Sequence, residues 1–385
     1  MGQSIVILGG GTGGVAAANV LLKVLPKEHH IILIDRLAYH QFKANLPLVM
    51  VGQRKPDEIL IPLSRLMEKG IEVVQAEVQT VDFVTQEVQT NLGSIPYDYL
   101  IISLGAESVL QSVPGFAEAA FNMLSFEHVT RFASLLPTLD QGRIVVFISH
   151  FPICGMAGPH ELVLLLNEYM YRHGRHGKVR IKFVTPETYP LSIASPRLGR
   201  AMLKNMEKRG IQVITQAKVL RLDYRTGELI LDGGINVPGE VFIGVPSYQG
   251  PSIFKDTPIS QDGGWLKAHP YTLATPIARV YAIGDAVGLR MPATGDWLPK
   301  LGIMAHYQGE VVARNIALEI TGQAPRFRFT GKAVGIPFMT GFGKGRLFSL
   351  KAYRPSSPAL TALPPSRLAY WFKVAFEKYW LNFWF

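Results

Sequence analysis

The run Gly9-Gly10-Gly11-Thr12-Gly13-Gly14 offers chemistry through its backbone, with a G-x-G-x-x-G at Gly9, Gly11 and Gly14. That spacing suits a pyrophosphate: the first glycine turns sharply, the second lets backbone approach the ligand, and the third lets a helix pack on a strand. Asp35 closes the next apolar run, where a carboxylate accepts ribose hydroxyls. Arg36 and Lys43 bound the polar stretch expected at the rim of such a site, and Val78 joins the expected cofactor-binding set. Other residues could move electrons or protons. Cys154, the single cysteine, lies on a Gly/Pro-rich loop as a candidate nucleophile, although free cysteines also serve as small buried apolar groups. Glu161 opens a helical stretch, where the helix dipole alone favours an acid. His150 and His160 could shuttle protons or be ordinary loop histidines. Lys300 follows Pro299 ahead of a helical stretch, and Lys344 stands in Gly341-Phe342-Gly343-Lys344-Gly345.

These residues need positioning elements. The apolar run 5–8 reads as a strand, 15–24 as a helix and 31–34 as a second strand, a complete βαβ unit around the glycines. The helix start adds unpaired N–H groups and a positive dipole end for phosphates. Residues 71–90 alternate as two antiparallel strands around a turn, and 97–106 form a buried strand ending in Ser103-x-Gly105. A second α/β unit follows, with strands at 144–148, 179–184 and 211–214 and helices at 161–171 and 197–209. Its first turn lacks the glycine fingerprint and carries Pro152 and Pro159, neither with an N–H to offer a phosphate, so a nicotinamide nucleotide would be poorly cradled there. The chain then returns to the first unit through a strand ending in Gly284-Asp285, ahead of a helix at 302–320. A carboxylate at that strand end could bind a ribityl hydroxyl or order water beside a pyrophosphate, which favours a flavin nucleotide.

With 385 residues, 48% hydrophobic and 18% charged, the chain can build two or three cored domains and is no disordered tail protein. The net charge of +10 comes without a Lys/Arg run that would track a phosphate backbone, so no nucleic-acid partner is expected. An anionic membrane surface remains open. One cysteine excludes an intrachain disulfide, and the scattered histidines predict no structural metal. The first strand begins within a few residues of Met1, which predicts no secretory signal and a catalytic body facing the cytoplasm. No apolar run is long enough to span a bilayer. At the C-terminus a helix starting at Pro364 or Pro365 would set Leu368, Phe372, Ala375, Phe376, Tyr379 and Phe383 on one face, with Arg367, Lys373, Glu377 and Lys378 opposite. Such a helix suits the plane of a membrane interface, with Trp371, Trp380 and Trp384 at headgroup depth. Packing on the protein's own core or on a second subunit is the alternative.

Gly9 to Gly14 with Asp35, Ser103-x-Gly105, Ala282-Ile283-Gly284-Asp285 and Pro299-Lys300-Leu301-Gly302 together resemble the two-dinucleotide-domain flavoprotein disulfide reductase superfamily. Within it the chain resembles the membrane-associated branch of sulfide:quinone oxidoreductases and type II NADH dehydrogenases. The Cys154 to Glu161 loop with the strand and turn at 179–187, and the segment 369–379, are similar to the sulfide:quinone side. The resemblance implies an α/β fold of two Rossmann-type, three-layer ββα/α domains, the second inserted in the first, followed by a C-terminal membrane-association region. The boundaries expected are 1–106 and 258–330 for the FAD-binding domain, 107–257 for the inserted domain and 331–385 for the C-terminal region. It also implies FAD, a membrane quinone as acceptor and sulfide or a related sulfur reductant as donor, at a monotopic membrane site, with a homo-oligomer possible. Lys300 would then stand beside the flavin and stabilise its reduced form, while Glu161 and Lys344 would assist proton uptake at the quinone. One cysteine departs from the two or three usual in sulfide-oxidising members, so a paired-cysteine relay is impossible within one chain. An NADH:quinone oxidoreductase and a flavin-binding protein without either activity are the alternatives.

Overall fold

The computed structural model describes residues 2–192 and 195–385. The segment Ile5-Val6-Ile7-Leu8 is fully buried, as the central strand of a parallel sheet covered on both faces must be. It lies in Ser4–Leu8, third in a five-stranded sheet ordered Val280–Ala282, Tyr99–Ile102, Ser4–Leu8, His30–Asp35 and Glu72–Gln75. All four pairings are parallel. The register aligns Leu8 with Ile34 and with Ile102, and Ile102 with Ala282. Gly9, Asp35, Ser103 and Ile283 therefore leave the sheet side by side at its carboxyl edge. The order also reverses at the central strand, which makes this edge the switch point where ligands bind in open α/β sheets. From here on, Thr12–Val24 is the dinucleotide helix and Gly302–Ile320 the return helix.

A second parallel sheet, ordered Ala120–Asn122, Val241–Val245, Gly142–Ile148, Val179–Val184 and Gln212–Ile214, repeats this plan within the first domain. The chain crosses between the two through an antiparallel ribbon of Glu107–Val109 and Ser247–Gln249. Each sheet has a three-stranded antiparallel meander, Val78–Asp82 to Gly93–Pro96 in one and Val219–Asp223 to Ile235–Pro238 in the other. The C-terminal region is an antiparallel sheet of Lys332–Gly341, Lys344–Lys351 and Ala359–Ala362, then the terminal helix Arg367–Phe383.

Several expectations change. Residues 71–90 are not one hairpin: Glu72–Gln75 pairs in parallel with His30–Asp35, and the hairpin joins Val78–Asp82 to Glu87–Thr90. Two polar-apolar alternations in tandem hid the change of sheet between them. The rim stretch after Asp35 is not wholly polar loop, because Tyr39–Gln41 pairs with Leu60–Pro62 and buries His40. The terminal helix begins at Arg367, not at a proline, because the Ser366 hydroxyl caps it by accepting the Ala369 N–H at 3.1 Å. Its apolar face, with Leu368, Phe372, Tyr379 and Phe383, is outward as read from the sequence, but within the arc opposite charged side chains are buried and not solvated. Trp380 and Trp384 are 2% and 6% exposed, packed on the protein and not held at a headgroup depth, and Lys373 and Glu377 are buried with them. The spacing 373, 377, 380, 384 is a single helical stripe. The opposite stripe leaves Leu368 80% and Trp371 61% exposed, with Phe372, Tyr379 and Phe383 also exposed.

Candidate dinucleotide and redox site

The glycine turn is built for a close ligand. Gly9 has φ +103°, and a Cβ there would fall 2.4 Å from the Ser103 carbonyl oxygen. A Cβ on Gly14 would fall 1.9 Å from the Gly9 oxygen, so the helix can follow the strand only through glycine. At Gly13 it would meet Ser103 Oγ at 2.9 Å, which explains the pairing of Ser103-x-Gly105 with the turn. Gly11 alone of these has no atom within 4 Å of a Cβ position, a cradle that a side chain would fill. No side chain caps the dinucleotide helix at Gly11 or the return helix at Leu301. The two helix starts meet, with a Cβ on Gly302 only 3.4 Å from Thr12 Oγ1. Two uncapped N-termini converging on an open glycine turn fit the negative charge of a dinucleotide pyrophosphate. Asp35 Oδ2 accepts the Gly10 N–H at 2.6 Å and Oδ1 accepts the Leu37 N–H at 2.8 Å, so this carboxylate shapes the turn. Arg36 and Lys43 are exposed at the rim, and Val78 is buried at the start of its meander.

At the other strand end, Gly284 takes φ +73° and donates its N–H to Gln308 Oε1 at 2.6 Å. Asp285 follows, and with Lys300, Met304 and Gln308 it lines a narrow crevice running under the return helix. Lys300 is 5% exposed. Its Nζ donates to the carbonyls of Asp285 at 2.9 Å and Val287 at 2.5 Å and lies 4.0 Å from the Trp265 ring centroid. Burial pulls its ammonium down to about 8, against the opposing charges of Asp285 and Cys154. The Cys154 loop docks on this lysine, with Cys154 bridged to Lys300 and the Gly155 N–H donating to the Lys300 carbonyl at 3.1 Å. Burial, then the neighbouring Asp285 carboxylate, pushes the Cys154 thiol well above its ordinary value, with Lys300 working the other way. Sequence reading named Cys154, Asp285 and Lys300 separately, and the structure brings them together.

Glu161 stands elsewhere. It is 4% exposed in the first turn of the Gly158–Arg172 helix, accepting the Met339 N–H at 2.9 Å and a Lys373 Nζ–H at 2.5 Å. It therefore joins the inserted domain to the terminal helix as half of a buried ion pair, not as a free acid. Lys344 does not join it: this side chain is exposed beside the hairpin turn that Arg172 touches at the Phe342 carbonyl, toward the far end of the Gly158–Arg172 helix. His160 is no loop residue. It is fully buried in that helix, with Nε2 2.6 Å from Glu187 Oε2. His150 remains in the loop, held below its usual range by burial and then by Lys218. Lys373, His40, Trp265 and Gln308 escaped the sequence reading. Only Lys373 carried a signal, a charge recurring with Glu377 at i, i+4 inside an aromatic-rich helix.

In the inserted domain the equivalent of Asp35 is spent. Glu187, past the end of Val179–Val184, accepts from Thr185 Oγ1 at 2.9 Å and from the Leu191 N–H at 3.0 Å besides pairing with His160. The central strand there, Gly142–Ile148, runs into a proline turn with no glycine fan.

Two parallel sheets, the second inserted between strands of the first, with an open glycine cradle at the carboxyl edge of the first, are the frame of a dinucleotide-dependent oxidoreductase. Residues 3–309 match the family model for the pyridine nucleotide-disulphide oxidoreductases, and the chain belongs to that family. Across its length it is similar to the sulfide-quinone reductase of Aquifex aeolicus (strain VF5), 26% identical over 405 residues that cover 99% of this chain and 91% of that protein. It is also similar to the type II NADH:quinone oxidoreductase of Staphylococcus aureus (strain NCTC 8325 / PS 47), 22% identical over 363 residues and 90% of each. Among solved structures, the sulfide:quinone oxidoreductase of Aquifex aeolicus shares the fold at a TM-score of 0.90, with 24% identity, over 98% of this chain and 90% of that one. The NDH2 of Plasmodium falciparum in complex with NADH shares it at 0.78, with 13% identity, over 100% and 96%.

Proposed function

We propose that the protein is an FAD-dependent enzyme at a membrane surface that takes two electrons from sulfide, or a related sulfur nucleophile, and passes them to a quinone. The observation that carries this reading is the Cys154 loop seated on Lys300 and Asp285 at the crevice, where a sulfur donor meets a thiol and a buried cation in one place. The relatives named for sulfide and quinone chemistry support it, and so does Glu187, whose carboxylate is already paired with His160 in the inserted domain. FAD, when bound, supplies the two-electron step between donor and acceptor.

The remaining work belongs to the chain. Gly9 to Gly14 and the two helix starts hold the pyrophosphate, and Asp35 and Asp285 face the ribose and ribityl hydroxyls. Lys300 holds positive charge beside the crevice, where negative charge develops during electron transfer. It also favours a sulfur anion near Cys154. Glu161, ion-paired with Lys373, holds the terminal helix at the junction where a quinone would enter, and exposed Lys344 takes no direct part. The outward stripe of Leu368, Trp371, Phe372, Tyr379 and Phe383 lies in the lipid interface, continued by Val334 at 51% and Leu363 at 60% exposure. No helix among the described residues is long and apolar enough to cross a membrane.

Sulfide-dependent reduction of a short-chain quinone by the purified protein tests the reading, with Cys154→Ser alongside. Turnover lost in the variant, with flavin retained, supports thiol participation. Equal turnover removes Cys154 from the mechanism.

A further inference from the structure

The last residues of the chain reach the glycine turn. Trp380 Nε1–H donates to His40 Nε2 at 3.1 Å, and His40 Nδ1 lies 2.9 Å from the Gly10 carbonyl oxygen. An indole N–H can only donate and a carbonyl can only accept, so His40 must be neutral with its proton on Nδ1. Gly10 is thus gripped on both sides, its N–H by Asp35 and its carbonyl by His40. The peptide that follows is trans, so its C=O and N–H point in opposite directions. Fixing the Gly10 carbonyl on His40 turns the Gly11 N–H away from the terminal helix. No acceptor takes that N–H among the described residues.

The same few residues clamp the two helices whose starts meet at the phosphate position. Asn19, on the dinucleotide helix, donates to the Trp384 carbonyl at 2.9 Å, and His306, on the return helix, sets its ring 4.7 Å from that of Trp384. Lys69 Nζ donates to the Phe383 carbonyl at 2.9 Å, and the Phe385 ring lies 4.9 Å from His40.

We propose that His40 and Trp380 are positioning residues of the dinucleotide site: the terminal helix, acting through Trp380, His40 and the Gly10 carbonyl, aims the Gly11 N–H at the cofactor's pyrophosphate. The proposal rests on the reading of that cradle as an FAD site. Docking of the lipid-facing helix and retention of the cofactor are then linked, each strengthening the other.

Trp380→Phe keeps most of the ring and removes the donor, and His40→Phe removes the relay. Trp384→Phe is the matched packing control, because Trp384 Nε1 is buried without a partner. Each is purified with its flavin, and FAD release after dilution is followed by the recovery of flavin fluorescence, beside the thermal midpoint. Trp380→Phe and His40→Phe should release FAD about three- to tenfold faster, the range one lost neutral hydrogen bond gives. Trp384→Phe, which loses ring area but no hydrogen bond and keeps its carbonyl on Asn19, should lower the midpoint less than Trp380→Phe and accelerate release less. Equal acceleration in Trp380→Phe and Trp384→Phe, or wild-type release in both Trp380→Phe and His40→Phe, overturns the proposal. A wild-type protein that carries no flavin overturns the cofactor reading and this inference with it.

Discussion

Replacing Lys373 by Met leaves the Glu161 carboxylate, 4% exposed, with the Met339 N–H as its remaining partner. Breaking a buried ion pair by removing one partner costs roughly 3–5 kcal/mol, several times the value of an exposed pair. The loss falls first on docking of the terminal helix, which is otherwise held by the Arg54 fork on Glu377, at 3.0 and 2.8 Å, and by the contacts of Trp380 and Trp384 with His40 and His306. Hydrogen exchange over residues 367–383 reads that docking directly. At about 1.4 kcal/mol per tenfold, the variant should exchange on the order of two to four powers of ten faster there, up to the limit of the undocked helix, with the Ser4–Leu8 strand unchanged. Adding Glu161→Leu to Lys373→Met should recover most of the protection, because two apolar groups replace two charges. Exchange in Lys373→Met within a fewfold of wild type would refute the reasoning, since it would mean the pair is solvated and weak.

Gly14→Ala should abolish flavin retention, because its Cβ would fall 1.9 Å from the Gly9 oxygen; the flavin-to-protein absorbance ratio after purification checks this. Turnover should fall as pH rises past about 8, where Lys300 loses its charge, and Lys300→Met should be slow and flat across that range in a pH-rate profile. Stability moves the other way. Between about 8 and 10.5 the unfolded chain still binds the lysine proton that the folded one has released, so stability rises with pH across that window. His40 acts at the acid end: burial lowers it to about 4 from 6.5, so its contribution, about 3 kcal/mol, is present above 6.5 and lost as pH falls through 4, measurable as the acid slope of the unfolding midpoint. Leu368→Asp with Trp371→Ser should abolish sedimentation with phospholipid vesicles while leaving the fold intact by circular dichroism, because both side chains are exposed.

The βαβ unit and its return strand were legible because each step is local: an apolar run, a glycine turn, a helix, and an acid within Ser4–Asp35. The convergence of Ser103 and Gly284-Asp285 on that turn was legible as soon as both were read as ends of parallel strands, whose register then aligns them. The inward stripe of the terminal helix was not legible. An amphipathic pattern fixes two faces but not which faces water or lipid, and here the charged side chains Lys373 and Glu377 find partners in Glu161 and Arg54, 212 and 323 residues away in sequence. Such pairs carry no periodicity. His40 was hidden for the same reason: its partners are a backbone carbonyl and an indole 340 residues distant. Lys344, glycine-flanked in sequence, lies exposed at a hairpin turn apart from Glu161, a separation that no local pattern carries.

In the proposed function one flavin in the amino-terminal cradle is reduced by a sulfur donor at the Cys154 side, with Glu187 of the inserted domain already paired with His160. An anaerobic titration of the purified protein, first with NADH and then with sulfide, read at the flavin absorbance band, tests it most directly. The band should survive NADH, bleach with sulfide and return on addition of quinone. Bleaching by NADH, or a band that ignores sulfide, would contradict it.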